Sequence, residues 1–288
     1  MELITDGYGL IEGPVWMEAE GLFFSDVIFG GVYCLKMNGE VVPVFPHRKG
    51  IGGMAPHISG GLVVSGRNVS FKPFDGGETT MLLDRDEKSG LVGFNDITTD
   101  ASGRIYAGGL GSSPVFEDGR EPRSENLYLI DIDGSCRVVA QDIRLTNGLG
   151  FSPGGETLYH SDSTRRTVFC YAVEVDGSLG EKKPFAVIDQ GAPDGLVVSE
   201  DGAVWVALAG GGGVGVFGAD GTFKELIEID HPMCTSVCFG GERLNDLYIV
   251  SGSDGLDGDR RGGVFRIRTP VAGLPVAESK VLADRLNV

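Results

Sequence analysis

The stretch TNGLGFSPGGETLYHSD, residues 146–162, contains the unit from which the fold can be predicted. A few turn residues lead into a short apolar run, a Gly-rich turn follows, and a second apolar run completes the unit. Six such units start at Glu12-Gly13-Pro14-Val15-Trp16, Gly52-Gly53-Met54-Ala55, Asn95-Asp96-Ile97, Asn147-Gly148-Leu149, Pro193-Asp194-Gly195-Leu196 and Thr235-Ser236-Val237-Cys238. Measured from Gly13, Gly53, Asn95, Asn147, Asp194 and Thr235, the spacings are 40, 42, 52, 47 and 41 residues. A β-type period of this size is typical of propeller blades, so we predict an all-β, six-bladed β-propeller.

One propeller can account for all 288 residues, and we expect a single domain over residues 1–288 because each blade packs only on its neighbours. The 47 glycines fall in turns such as Asp75-Gly76-Gly77, which indicates many tight hairpins. No segment keeps a 3.6-residue apolar period, so we expect almost no helix. Closing the ring requires a strand from one terminus, and residues 1–6 are predicted to complete blade six.

Charge and cysteine content narrow the range of partners. The net charge is −17, from 41 acidic and 24 basic residues, which argues against nucleic acid. The five cysteines are odd in number and form no C-x-x-C pair, so we expect reduced thiols and a cytoplasmic protein. The first residues resemble no signal peptide, and no apolar run approaches the ~18 residues of a membrane helix. We expect no membrane partner and a monomer or weak homo-oligomer.

Four of the six unit starts carry an oxygen donor: Glu12, Asn95, Asn147 and Asp194. The innermost strand of each blade lines the channel, so equivalent positions are predicted to converge at one mouth. Carboxylate and carboxamide oxygens are the ligands that hard cations prefer. We therefore predict one divalent cation, with Ca²⁺ favoured and Mg²⁺, Mn²⁺ or Zn²⁺ as alternatives. The absence of His and Cys from these starts disfavours a dedicated zinc site.

Each donor also has a simpler explanation by itself. Asn and Asp favour tight turns for backbone reasons, and Asn147-Gly148 is a common turn pair. Glu12 is different, because Glu is a poor turn residue. The recurrence at four equivalent places favours the metal site over four unrelated turns.

Other candidate residues are interpreted as structural. Gly150-Phe151-Ser152-Pro153-Gly154 matches the G-x-S-x-G pattern of serine hydrolases, but a β run follows it where a nucleophile elbow requires a helix. Ser152 is therefore predicted to lie in a hairpin turn. His57, after Pro56, is interpreted as a surface turn residue, and His160 as a core residue. Residues 111–124 form a long polar excursion in blade three, of a kind that is often functional or mobile.

In these residues the chain resembles the gluconolactonase/regucalcin family, also called senescence-marker-protein/gluconolactonase/luciferin-regenerating-enzyme-like. The resemblance covers nearly the whole chain. It is carried by Glu12-Gly13-Pro14-Val15-Trp16, Phe94-Asn95-Asp96 before Gly103-Arg104-Ile105-Tyr106-Ala107-Gly108, Thr146-Asn147-Gly148 before Phe151-Ser152-Pro153, and Pro193-Asp194-Gly195-Leu196 before Gly202-Ala203-Val204-Trp205-Val206-Ala207.

The resemblance implies a six-bladed propeller that hydrolyses a lactone with one catalytic divalent cation. Carried over, Glu12, Asn147 and Asp194 would be metal ligands. Asn95 would hold substrate or metal-bound water, and Asp194 would also be the general base or proton shuttle. The expected partner is a small-molecule lactone or ester.

One position departs from the family pattern. Sugar-lactone members often carry Arg two residues before the blade-three Asn, where this chain has Gly93. The resemblance then implies a weaker grip on sugar hydroxyls and a less polar or larger lactone, unless Arg67, Arg120 or Arg123 substitutes from a loop. A non-catalytic binding propeller, a metal-dependent esterase, a phosphotriesterase-like hydrolase and an isomerase remain as alternatives. The set of four donors argues against the binding propeller, which needs no carboxylates on its axis.

Overall fold

The computed structural model describes residues 1–46, 48–116 and 119–282. Over these residues the chain forms 24 strands in six four-stranded sheets and no helix. The prediction of an all-β, six-bladed propeller is therefore confirmed. No helix in the described ranges is long and apolar enough to cross a membrane.

The blades follow one another along the chain. Blade one consists of β2 (Ile11–Met17), β3 (Gly21–Asp26), β4 (Val32–Lys36) and β5 (Val41–Phe45), and blade two of β6 (Met54–Pro56), β7 (Gly61–Val64), β8 (Asn68–Pro73) and β9 (Thr80–Asp84). Blade three consists of β10 (Gly93–Thr99), β11 (Ile105–Leu110), β12 (Glu125–Ile130) and β13 (Cys136–Ile143), and blade four of β14 (Thr146–Phe151), β15 (Thr157–Asp162), β16 (Thr167–Ala172) and β17 (Lys183–Val187). Blade five consists of β18 (Ala192–Val198), β19 (Val204–Ala209), β20 (Gly213–Phe217) and β21 (Phe223–Glu228).

Blade six contains both ends of the ring. It consists of β22 (Cys234–Gly240), β23 (Asp246–Ser251), β24 (Gly262–Arg268) and the N-terminal strand β1 (Glu2–Tyr8). β1 pairs antiparallel with β24, from Glu2 opposite Arg266 to Tyr8 opposite Gly262. The predicted closure by the N-terminal residues is confirmed, and it covers an edge of β24 that would otherwise be free to pair with another chain.

The first strand of each blade faces the central channel. These strands contact one another around the whole ring, in the order β2, β6, β10, β14, β18, β22 and back to β2. The apolar core lies between blades: the rings of Trp16 and Tyr248 stack at 5.6 Å between blades one and six, beside Phe24 and Val264. Each blade therefore holds its neighbour's inner strand in place.

Carboxylates at the ends of second strands fix the segments that lead into the channel. Asp26 accepts a hydrogen bond from the backbone N–H of Gly9 at 3.0 Å, in the segment that leads into β2. Asp162 does the same for Arg144 at 2.9 Å, in the segment that leads into β14. These bonds help to set where the inner strands begin.

The C-terminal segment, residues 271–282, crosses the mouth at which the inner strands end. Its backbone N–H groups bond to carbonyl groups of several blades: Leu274 to Val198, Ser279 to Pro56, Lys280 to Gly103 and Leu282 to Ile132. His57 is buried beneath it, 1 % exposed, with Nε2 3.1 Å from the carbonyl oxygen of Val281. The interpretation of His57 as a surface residue was wrong, because the segment that covers it comes from the other end of the chain.

Ser152 lies in the hairpin turn between β14 and β15, as predicted. Its backbone N–H bonds to the carbonyl of Thr157 at 2.9 Å, and its carbonyl accepts from Gly155 at 2.8 Å. This turn is at the same mouth as the C-terminal segment. Ser152 therefore lies at the opposite mouth of the channel from the predicted donors.

Candidate metal centre

The predicted donors lie where the inner strands are bulged. Pairing of the first with the second strand is interrupted between Glu12 and Val15, Phe94 and Ile97, Thr146 and Leu149, Pro193 and Leu196, and Cys234 and Ser236. A bulge releases residues from the hydrogen-bonded ladder and turns their side chains. The structure thus presents Glu12, Asn95, Asn147 and Asp194 at or beside equivalent bulges of four blades.

A chain of hydrogen bonds fixes the two carboxamides. Asn95 Nδ2 donates to Asn147 Oδ1 at 2.7 Å and to the Thr146 carbonyl at 2.8 Å. Asn147 Nδ2 donates to Ser163 Oγ at 2.7 Å, and Ser163 Oγ donates to the Pro193 carbonyl at 2.6 Å. Blades three, four and five are therefore linked through Asn95, Asn147 and Ser163.

Burial and neighbouring negative charges disfavour the ionised forms of Glu12 and Asp194. Burial raises the pKa of Glu12 well above its usual range, and the charges of Asp194 and Asp96 raise it further. Burial also raises the pKa of Asp194, with Asp96 adding to the effect. Asp194 is 5 % exposed, and its Oδ1 is buried without a hydrogen-bond partner among the described residues. Buried carboxylates of this kind are stabilised by a positive charge.

Asp96 is the site residue that sequence reasoning missed. It follows Asn95 in the bulge, at the place where the other blades have Gly13, Gly53, Gly148, Gly195 and Ser236. Burial raises the pKa of Asp96 to about 7, and its Oδ1 accepts a hydrogen bond from the Ile97 N–H at 2.8 Å. The sequence did carry a signal for Asp96, because it is an acidic residue at a position where the other five blades have Gly or Ser.

Blade two leaves space for the site residues of blade three, and blade six supports the strand that carries Glu12. A Cβ at Gly52 would lie 2.6 Å from Asn95 Oδ1, and one at Gly53 would lie 2.5 Å from Asp96 Oδ1. Blade two therefore has glycine at both positions to make room for the blade-three side chains. The hydroxyl of Thr235 in blade six donates to the Ile11 carbonyl at 2.6 Å, which supports the strand that carries Glu12.

These residues fit a hard divalent cation. Glu12 and Asp194 supply negative charge, Asn147 supplies a neutral oxygen, and the unpartnered Asp194 Oδ1 provides an unused electron pair. No group of three or more His, Cys, Asp or Glu side chains within the described residues could by itself hold a metal ion. A cation at this place would therefore also need the carboxamide oxygens.

The same mouth contains the segment around Gly93. A Cβ at Gly93 would lie 2.8 Å from the carbonyl oxygen of Gly66 and 3.7 Å from the Cα of Arg67. Gly93 leaves no open space, because the Gly66-Arg67 backbone fills the place that a side chain there would take. Residues 111–124 begin at this mouth too, since Leu110 pairs with Gly93, and the ring of Phe116 comes within 3.6 Å of the Cβ position of Gly50.

Comparison with known proteins shows the family of this chain. The model of the SMP-30/Gluconolactonase/LRE-like region matches residues 10–253. The chain belongs to this family. The resemblance that the sequence motifs indicate is thereby confirmed.

Relatives in the family include named lactonases. The chain is 29 % identical to pentonolactonase XacC of Haloferax volcanii, covering 94 % of each chain. It is 29 % identical to 6-deoxy-6-sulfogluconolactonase of Pseudomonas putida, covering 91 % of this chain and 92 % of that protein. Regucalcin of Agrobacterium tumefaciens, described as a calcium-binding protein, has the same fold with a TM-score of 0.83, 21 % identity and 96 % coverage of both chains.

Proposed function

We propose that this protein is a divalent-metal-dependent lactonase. The observation that carries the proposal is the unpartnered, buried Oδ1 of Asp194 beside Glu12 and within the ring of donors that includes Asn147. Two of the similar proteins are named as lactonases of sugar lactones, which supports the reaction class. The similar structure described as calcium-binding supports Ca²⁺ as the ion.

Glu12, Asn147 and Asp194 would hold the ion. Their combined charge of −2 matches a divalent cation, and three protein ligands leave room for water and substrate, since Ca²⁺ takes 6–8 oxygen ligands. When bound, the cation polarises the lactone carbonyl as a Lewis acid and stabilises the negative charge that develops on its oxygen. Ser163 holds the Asn147 carboxamide in place through its 2.7 Å hydrogen bond.

The side chains of Asn95 and Asp194 carry out the other steps of the reaction. Asn95 positions the substrate or the attacking water by hydrogen bonding. Asp194 takes a proton from the water as it adds to the carbonyl carbon, and then returns that proton to the ring oxygen when the C–O bond breaks. The product is the hydroxy acid, with the water added across the ester bond.

The experiment that tests the proposal is a lactone panel with controlled metal content. Protein stripped with a chelator should be inactive on sugar and aliphatic lactones, and addition of Ca²⁺, Mg²⁺, Mn²⁺ or Zn²⁺ should restore acid release. A crystal soaked in millimolar cation should show one ion that contacts Glu12, Asn147 and Asp194. A channel that holds only water after such soaking, together with no lactone turnover, would refute the proposal and favour a binding propeller.

A further inference from the structure

The residue Arg67 stands at the mouth of the candidate metal centre. The segment that carries it, residues 65–68, follows β7 and runs beside the inner strand of blade three. Gly66 and Phe94 exchange two backbone hydrogen bonds, of 3.1 and 2.7 Å. Ser65 Oγ donates to the carbonyl of Asn95 and accepts from the Gly53 N–H at 2.8 Å. Arg67 is therefore fixed to the strand that presents Asn95 and Asp96.

Glycine at position 93 is what allows this approach. A Cβ there would meet the Gly66 carbonyl oxygen at 2.8 Å, closer than real Cβ atoms come to a backbone oxygen. The Cα of Arg67 lies 3.7 Å from the same point. The Arg67 side chain thus starts beside Gly93, which is two residues before Asn95, on the wall of the mouth.

The charge of Arg67 has no partner within the described ranges. Its side chain is exposed and makes no hydrogen bond or ion pair with any described residue. The arginines near it differ: Arg85 pairs with Glu87 at 2.7 Å, and Arg123 pairs with Glu125 at 3.0 Å. Arg120 also bonds to Glu87, at 3.2 Å. Of the three arginines that the sequence offered for this mouth, Arg67 is therefore the one with a free guanidinium.

Each carboxylate near Arg67 accepts a hydrogen bond from another residue. Arg67 lines a cleft of about 560 Å³ together with Asp84, Asp86 and Glu87. Asp84 accepts from the N–H of Arg85 at 2.9 Å, and Asp86 accepts from the N–H of Lys88 at 3.1 Å. Glu87 is held between Arg85 and Arg120.

A second positive charge lies behind the same segment. The half-buried guanidinium of Arg48 donates to Asn68 Oδ1 at 3.1 Å and to the Ser65 carbonyl at 3.4 Å, both neutral groups. Arg48 forms no ion pair with a described residue. Two cations, Arg48 and Arg67, therefore flank one short segment, and neither forms an ion pair with a described residue.

We propose that Arg67 binds an anionic substituent of the substrate, so that the preferred lactone carries a carboxylate, sulfonate or phosphate group. This inference rests on the proposed lactonase function. A guanidinium forms bidentate, charge-assisted hydrogen bonds with such oxyanions, and Arg48 adds to the attraction. The carbonyl of the lactone is at the ring of donors, and the anionic group extends over Gly66 toward Arg67.

The test compares D-glucono-1,5-lactone with its 6-phosphate and 6-sulfonate analogues. Wild type, Arg67→Gln, Arg67→Lys and the matched control Arg243→Gln are assayed for kcat and KM. Arg243 is an exposed arginine in the turn after β22, at the opposite mouth. Arg67→Gln should lower kcat/KM for the anionic lactones about 10- to 100-fold, mainly through KM, because a hydrogen bond to a charged group is lost. The neutral lactone should change less than about two-fold, Arg67→Lys should recover part of the loss, and the effect should shrink with added salt.

A binding measurement separates this inference from the lactonase proposal. Calorimetry of 6-phosphogluconate with metal-free protein should show binding that Arg67→Gln weakens and Arg243→Gln does not. An equal loss for neutral and anionic lactones, or equal anion binding by wild type and Arg67→Gln, overturns the inference. If no lactone is hydrolysed but anion binding depends on Arg67, the lactonase proposal fails and the anion site stands.

Discussion

The side-chain amide of Asn147 is tied to the hydroxyl of Ser163 by a hydrogen bond of 2.7 Å. The same hydroxyl donates to the Pro193 carbonyl at 2.6 Å, next to Asp194 in the following blade. Ser163 thus sets the distance between two proposed ligands without itself being one. Residues that orient metal ligands in this way typically contribute 10–100-fold to metal affinity.

Ser163→Ala should weaken Ca²⁺ binding by about ten-fold or more, because the Asn147 carboxamide is then free to rotate. Calorimetric titration of chelator-treated protein measures the affinity, and circular dichroism checks that the fold is intact. Ser135→Ala, in the exposed turn between β12 and β13, is the matched control. Equal Ca²⁺ affinity in both variants would show that Ser163 does not position the ligand.

Asp194→Asn should abolish turnover while leaving the metal-free protein as stable as wild type or more stable. The substitution removes a ligand charge and the proposed base, but it also removes the repulsion among Glu12, Asp96 and Asp194. We expect a rate loss of at least about 10²–10⁴-fold. The increase in Tm on adding Ca²⁺ should disappear.

Asn95→Ala gives the comparison for that experiment. A neutral donor can be replaced in part by water, so its loss should reduce turnover less than Asp194→Asn does. Near-wild-type activity in Asp194→Asn would mean that the catalytic site lies elsewhere. A lower Tm of the metal-free variant would contradict the predicted repulsion.

Cation binding should strengthen as the pH rises through about 7. The pKa of Asp96 is raised to about 7 by burial, and those of Glu12 and Asp194 are also raised, so metal-free protein holds protons that a cation must displace. Below pH 7 these protons compete with the ion, and well above it the competition from Asp96 ends. Titrations of Ca²⁺ between pH 6 and 8 should show this rise, and Asp96→Asn should flatten it. A pH slope unchanged in Asp96→Asn would exclude Asp96 from the linkage.

Acid should destabilise the protein through His160. This residue is fully buried in blade four, with Nε2 3.2 Å from Thr146 Oγ1, and burial lowers its pKa to about 3. An unfolded histidine titrates near 6.5, so between about pH 6.5 and 3 the unfolded state binds a proton that the folded state does not. This group makes no pH-dependent contribution above pH 6.5 and costs up to about 1.4 kcal/mol per pH unit below it.

Urea unfolding at pH 7, 6, 5 and 4 measures that cost. The free energy of unfolding should fall less steeply with decreasing pH in His160→Gln than in wild type. Parallel slopes for the two proteins would show that the acid sensitivity comes from other groups.

The sequence predicted the blade period and the ring closure because both are local signals. Turn residues and apolar runs recur in each blade, and Glu12 is informative since no turn requires Glu there. The bulges could not be predicted, because they depend on the pairing of two strands. Asp96 was missed for this reason: only the bulge turns two successive residues, Asn95 and Asp96, toward the same site.

The C-terminal segment was not predicted at all. Residues 271–282 have no β alternation, and their order comes from hydrogen bonds to carbonyl groups on blades two, three and five. Contacts between positions as distant as His57 and Val281 leave no local sequence pattern. For the same reason Gly93 could not be explained from sequence, since the Gly66 carbonyl that requires a glycine there belongs to another blade.

Because the candidate site residues lie at bulges, they can change during evolution without changing the strand pairing of the fold. Residues such as Asn147 and Asp194 lie outside the paired ladder between first and second strands, so replacing them removes no ladder hydrogen bond. Substitutions there would alter the proposed ligands and the proposed base while the strand pairing within each blade stays intact. Such a scaffold is open to evolutionary exchange of activity at the bulged blades, whereas blade two, where a Cβ at Gly52 or Gly53 would meet Asn95 or Asp96, has no room for a new donor.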